Sequence, residues 1–177
     1  MDKTTALDTF LASVEKRAYR MAFIATGNPD EALDIVQDAM LTLVKRYAQR
    51  DQQEWGPLFT RIVQNRIRDW YRREKVRTKW RAWISKDEDE HQFIENLPDS
   101  GGNDPLRQIA NANITKEVEQ GLRALPLRQQ QVFLLRAWEG LDVNETARAL
   151  GISDGSVKTH YSRAVHRLRE ILGDHHE

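Results

Sequence analysis

Residues 142–172 read DVNETARALGISDGSVKTHYSRAVHRLREIL. Two helical patterns flank a short break at Gly151-Ile152-Ser153. The first carries Val143, Ala147 and Leu150 on one side. The second carries Val157, Tyr161, Ala164, Val165, Leu168 and Leu172, close to a 3.6-residue period. Ser153 is placed to cap the second helix by accepting from a backbone N–H of its first turn. Gly151 suits a left-handed end to the first helix, because it has no Cβ to clash. Ala147, four residues before that glycine, is small enough to let the two helices approach. The layout is that of a helix-turn-helix, whose second helix enters the DNA major groove.

At about 100° per residue, the side of the second helix opposite its apolar stripe shows Ser156, Thr159, Arg163 and His166. Lys158, His160 and Ser162 flank that side. Short hydrogen-bonding groups and cations are what base edges and phosphates accept. An ordinary helix bundle also solvates such a face, so the pattern gains weight only in company.

Working outward, apolar residues recur at helical spacing almost throughout, strand signals are poor and an all-α protein is expected. The chain has 177 residues and a formal net charge of zero, so total charge singles out no partner. With no cysteine, disulfides and thiolate metal sites are excluded, in keeping with a reducing cytoplasm. No long apolar run or leader is visible, and membrane insertion is not expected.

From the start of the chain, Leu7, Phe10, Leu11, Val14, Ala18, Tyr19 and Ala22 make a first helical stripe, ended by Gly27-Asn28-Pro29. A second helix, from Asp30 to about Tyr47, turns Ala32, Ile35, Val36, Ala39, Met40 and Leu43 toward a core. Its outer surface shows Asp30, Asp34, Gln37 and Asp38. Acids there suit the helix dipole, and they equally suit docking of a basic partner. Residues 50–56 read as a polar loop, after which Trp55-Gly56-Pro57 opens a third helix with proline in its first turn. Leu58, Phe59, Ile62, Val63, Ile67 and Trp70 form its buried stripe. Its other side is polar and basic: Arg61, Gln64, Asn65, Arg68, Asp69, Arg72 and Arg73. Between residues 61 and 86 the only acids are Asp69 and Glu74, and Trp70, Tyr71, Trp80 and Trp83 are interleaved with the cations. Cations with flat rings suit an opened nucleic acid, in which phosphates and base faces are both accessible. The charge then inverts: residues 87–104 contain seven acids, no Lys or Arg, and the helix breakers Pro98, Gly101 and Gly102. This is a flexible acidic linker, expected over residues 87–105 between helical domains at 1–86 and 106–177. Beyond it, Ile109, Ile114, Val118 and Leu122 lead to Leu125-Pro126, and a helix with Val132, Phe133 and Leu135 precedes the helix-turn-helix. Two units this small predict a mobile pair rather than one block.

Taken together these segments resemble the bacterial RNA polymerase sigma factors of the extracytoplasmic-function group of the sigma-70 family. GNPDEALDIVQDAMLTL at 27–43 looks like the family's polymerase-docking helix, and LFTRIVQNRIRDWYRR at 58–73 like the helix that meets the minus-ten element. Residues 125–170 follow the pattern of the region that reads the minus-thirty-five element. The resemblance covers nearly the whole chain outside the linker. It implies a subunit that binds core RNA polymerase and directs promoter-specific initiation, in the cytoplasm, without catalysis, cofactor or metal. Asp34, Gln37, Asp38 and Leu41 would meet the clamp helices of the beta-prime subunit. Asn65, Arg68, Asp69, Arg72 and Arg73, with the loop at 50–56, would engage the minus-ten element and hold a flipped base. Ser156, Lys158, Thr159, His160 and Arg163 would read the minus-thirty-five element, and residues 127–135 would seat on the beta flap. An anti-sigma protein is an implied partner. Asp142, Thr146 and His160 depart from the family's usual Ser or Thr, Ile and Arg. The two promoter elements lie about two helical turns apart, roughly 70 Å. Residues 87–105 reach at most about 65 Å when fully extended, which favours a stretched, threaded linker.

A stand-alone helix-turn-helix regulator is the competing reading, but it needs neither the basic Trp-rich stretch nor the Asp34/Gln37/Asp38 surface. An enzyme is disfavoured: no nucleophile elbow or phosphate loop is present, and His175 and His176 sit in a frayed tail.

Overall fold

The computed structural model describes residues 2–84 and 116–173. The expected linker at 87–105, the apolar positions Ile109 and Ile114, and the tail histidines lie outside these residues. Every regular element among the described residues is helical.

The first lobe has three helices, α1 (Lys3–Thr26), α2 (Pro29–Tyr47) and α3 (Gln52–Ile84). Asn28 caps α2 by accepting from the backbone N–H groups of Asp30 and Glu31, with proline at the first helical position, where no N–H is needed. The expected stripes meet: Leu7, Tyr19, Val36, Leu43, Phe59 and Ile67 share one core. The expected loop at 50–56 is shorter than the sequence implied. Helix α3 begins at Gln52, so Pro57 lies inside it rather than in its first turn. The early start is anchored at both sides: the Asp51 backbone N–H donates to Glu54, and the buried Trp55 indole donates to the Tyr47 carbonyl at 3.1 Å.

The second lobe holds α4 (Lys116–Ala124), α5 (Leu127–Phe133), α6 (Val143–Leu150) and α7 (Asp154–Gly173). A π-helical turn, Leu134–Trp138, extends α5. Both ends of α6 are fixed as its sequence suggests. Asp142 and Glu145 form a capping box, and Gly151 closes the helix in the left-handed region at φ 65°. The Ser156 N–H donates to Ser153 Oγ at the start of α7. Val157, Ala164 and Leu168 are buried against α4, α5 and α6.

The lobes, expected from their size to be a mobile pair, pack against one another in this arrangement. Met21 and Ile24 of α1 belong to the second lobe's core, and Leu127 packs on the first. Polar groups complete the seam. Gln131 donates to the carbonyl and side-chain oxygens of Gln64 at 3.2 and 3.1 Å, the Arg20 guanidinium lies 3.8 Å over the Trp138 ring, and Arg17 faces Glu139 at 3.6 Å. Burial raises the Glu139 carboxyl above its ordinary value, opposed by Arg17.

Candidate nucleic-acid and polymerase interfaces

Helix α3 buries Phe59, Val63, Gln64 and Ile67 and leaves the opposite side open. There Asn65, Asp69, Arg72 and Arg73 are exposed, and Arg68 is half-buried. Asn65 and Asp69 line a polar cavity of about 420 Å³ shared with α2, which contributes Thr42, Arg46 and Tyr47. Arg61 and Arg66 complete its rim from α3. A flat, hydrogen-bonding group matches a cleft with an amide, a carboxylate and guanidinium groups around it. The three α2 residues were missed from sequence, because only the crossing of α2 and α3 brings them beside Asn65. Arg68, Arg72 and Arg73 are not part of this cleft.

On α7, Lys158, Thr159 and Arg163 are exposed and share the outer face expected of them. Ser156 is half-buried and its hydroxyl accepts from Ser153 Oγ at 2.9 Å, so part of its capacity serves the helix start. His160 is half-buried too. Burial first, then the charges of Arg128 and Arg163, hold its imidazole below the ordinary value, which favours the neutral form near pH 7.

Arg128 links the two sets. It carries the charge field of Arg68 and Arg72 from α3, and it acts in turn on His160. Burial and those two arginines push its guanidinium below the ordinary value. Arg68 and Arg72 of α3 and His160 of α7 are thus each near enough to Arg128 for the charges to act on one another. Residues 127–135 lie at the seam between the lobes: Leu127 touches the first core and Gln131 is bonded to Gln64.

The outer face of α2 presents Asp34, Gln37, Asp38 and Leu41, all exposed. Leu33 and Val44 are also exposed and extend this face as an apolar stripe among acids. Sequence reasoning passed over them, although apolar residues off the buried stripe were the available signal. Asp38 pairs with Arg66 at 3.6 Å, and Arg66 donates to Thr42 at 3.3 Å, so this face is tied to the cleft behind it. No group of acids, histidines and cysteines among the described residues could hold a metal ion, and no described helix is long and apolar enough to cross a membrane.

Comparison with known proteins places both lobes. Residues 7–77 match the family Sigma-70 region 2, and residues 115–168 match Sigma-70, region 4. The chain is 34% identical over 146 residues to the RNA polymerase sigma-E factor of Streptomyces avermitilis, covering 82% of this chain and 73% of that one. It is 30% identical over 173 residues to the RNA polymerase sigma-E factor of Streptomyces coelicolor, covering 97% and 89%. The ECF RNA polymerase sigma factor SigM of Mycobacterium tuberculosis is 25% identical over 169 residues, covering 95% and 78%. Among solved structures, the sigma factor RpoE in complex with the anti-sigma factor NepR from Bartonella quintana has the same fold. The TM-score is 0.61 at 22% identity, over 94% of this chain and 96% of that one.

Proposed function

The chain belongs to the extracytoplasmic-function group of the sigma-70 family, and from that premise we propose how its surfaces divide the work of initiation. As a sigma factor it binds core RNA polymerase and directs promoter-specific transcription initiation. The catalysis of RNA synthesis is the polymerase's, and this subunit works beside it in the cytoplasm. The observation that carries the reading is the presence of both sigma regions, in order, in one chain.

The first lobe, residues 1–86, docks on the polymerase through α2, where Asp34, Gln37 and Asp38 supply acid and polar groups and Leu33, Leu41 and Val44 supply apolar contact for the beta-prime clamp helices. Its α3 face takes the minus-ten element: Asn65 and Asp69 hold an extruded base in the cleft, and Arg68, Arg72 and Arg73 bind phosphates. Unstacking a base costs a few kcal/mol, so a preformed pocket beside cations is the economical arrangement. The second lobe, residues 106–177, reads the minus-thirty-five element through Ser156, Lys158, Thr159, His160 and Arg163. Residues 87–105 join them.

Promoter elements two helical turns apart are separated by roughly 70 Å. Reading faces that share Arg128 cannot reach both, and residues 127–135 cannot seat on the beta flap while they are bonded to α3. The described arrangement is thus a closed one, and the lobes part when polymerase and promoter bind. An anti-sigma protein, of the kind that holds the solved relative, is a fitting partner for the closed form.

Co-purification with bacterial core polymerase, followed by run-off transcription on a pool of genomic promoters, tests the reading. Stable association with promoter-specific transcripts is the expected result. Duplex binding without any affinity for core enzyme would assign the chain to stand-alone regulators instead.

A further inference from the structure

Helix α3 continues well past the lobe that it helps to build. From Lys75 to its end at Ile84 every residue is exposed. This extension carries Val76, Trp80 and Trp83, 67%, 60% and 67% exposed. The two indoles lie 5.3 Å apart, tilted by 34°. Large apolar side chains this accessible are uncommon without a partner to cover them. Their position on the helix is specific. At about 100° per residue, Asp69, Arg72, Val76, Trp80 and Trp83 all fall within roughly a quarter turn of Asn65. The ring pair therefore continues the face that holds the minus-ten cleft. Lys75 and Lys79 run along one edge of the stripe, Arg77 on the other side is paired with Glu74 at 3.2 Å, and residues 75–84 contain no acid. Trp80 and Trp83 both lie beyond residue 77, where the match to the region 2 family ends.

We propose that Trp80 and Trp83 form a base-stacking platform for single-stranded DNA, extending the strand path beyond the minus-ten cleft. The proposal rests on the sigma-factor reading and adds a subsite to it. A stripe of indoles beside a row of lysines matches a strand with its bases unstacked and its phosphates alongside. Duplex DNA offers phosphates but hides its base faces, so it has no use for the rings. Trp83 lies about 16 Å beyond Arg72 at 1.5 Å rise per residue, so the ring pair sits past the cleft along the same helix face. The indoles are too close together for a base to enter between them, since two stacking distances need about 7 Å. Bases stack on the outer faces of the pair.

The test uses the full chain and two probes, a dye-labelled oligothymidylate and a duplex of equal length, followed by fluorescence anisotropy. Stacking on an aromatic ring contributes about 5- to 150-fold per base. Trp80→Ala/Trp83→Ala should weaken binding to the single strand by at least the lower figure and leave the duplex unchanged. Trp80→Phe/Trp83→Phe should restore most of the loss. Equal affinity of the alanine variant and the parent chain for the single strand would overturn the proposal, as would an equal loss on both probes. Core polymerase binding is measured in parallel. Retained affinity in the alanine variant supports the platform, and its loss would make the rings a protein-docking patch. Failure of the parent chain to bind polymerase would remove the sigma reading, whatever the oligonucleotides report.

Discussion

Thr146 lies fully buried in α6 with its hydroxyl unpaired. A buried donor without a partner loses its hydration and gains nothing in exchange. Thr146→Val keeps the shape and removes the hydroxyl, so it should raise the stability of the second lobe by about 1 kcal/mol, read as a higher urea midpoint at unchanged slope. The departure from an aliphatic residue was legible in sequence, but its full burial was not. His160 carries a pH dependence of definite sign. Its folded imidazole titrates below the ordinary 6.5, chiefly through burial. The unfolded chain takes up that proton first. The contribution of His160 to stability is complete above about 6.5 and is lost as pH falls from there toward the lower folded value. Thermal unfolding at pH 7.5 and 5.5 should show a smaller drop for His160→Gln than for the parent chain; equal drops would place the titration elsewhere.

Among the elements, α2 and α7 separate the two binding activities. Asp38→Arg reverses charge in the middle of the acidic face of α2 and removes the pairing with Arg66. Affinity for core polymerase should fall, while binding of the isolated protein to minus-thirty-five duplex stays unchanged. Arg163→Ala acts in the opposite way. The side chain is exposed on the outer face of α7, and one good base contact is worth about 1–3 kcal/mol. Promoter affinity should therefore drop by about 5- to 150-fold, with polymerase binding intact in a gel-shift and pull-down pair. Loss of polymerase binding instead would make α7 a structural helix. Both helices could be drawn from periodicity and caps. The start of α3 could not, because the hydrogen bond from Trp55 to the Tyr47 carbonyl that fixes it joins positions eight residues apart.

For the whole molecule, the decisive feature is the seam. Gln64 and Gln131 are both buried, and the Gln131 amide donates across the lobes to both oxygens of Gln64. Since the chain has no cysteine, a Gln64→Cys/Gln131→Cys pair can be joined selectively by oxidation or a short bismaleimide. The joined protein should fail to support transcription from a promoter with both elements, and reduction of the oxidised form should restore it. Full activity in the joined state would show that the closed arrangement is compatible with initiation, which the shared position of Arg128 argues against.

Sequence by itself determined the helices, their caps, the apolar stripe of each and the outward faces of α3 and α7. These follow from local rules: a 3.6-residue period, a side-chain oxygen at a helix start, a glycine at its end. Tertiary structure alone decided that α1 serves two cores, that Thr42, Arg46 and Tyr47 close the cleft beside Asn65, and that Arg68, Arg72 and His160 converge on Arg128. The physical reason is that a helix's period fixes which of its residues share a face, but not what that face meets. Met21 and Ile24 join the second lobe's core although they belong to a helix of the first, and Met21 also accepts from the Gln64 amide of α3 at 3.6 Å.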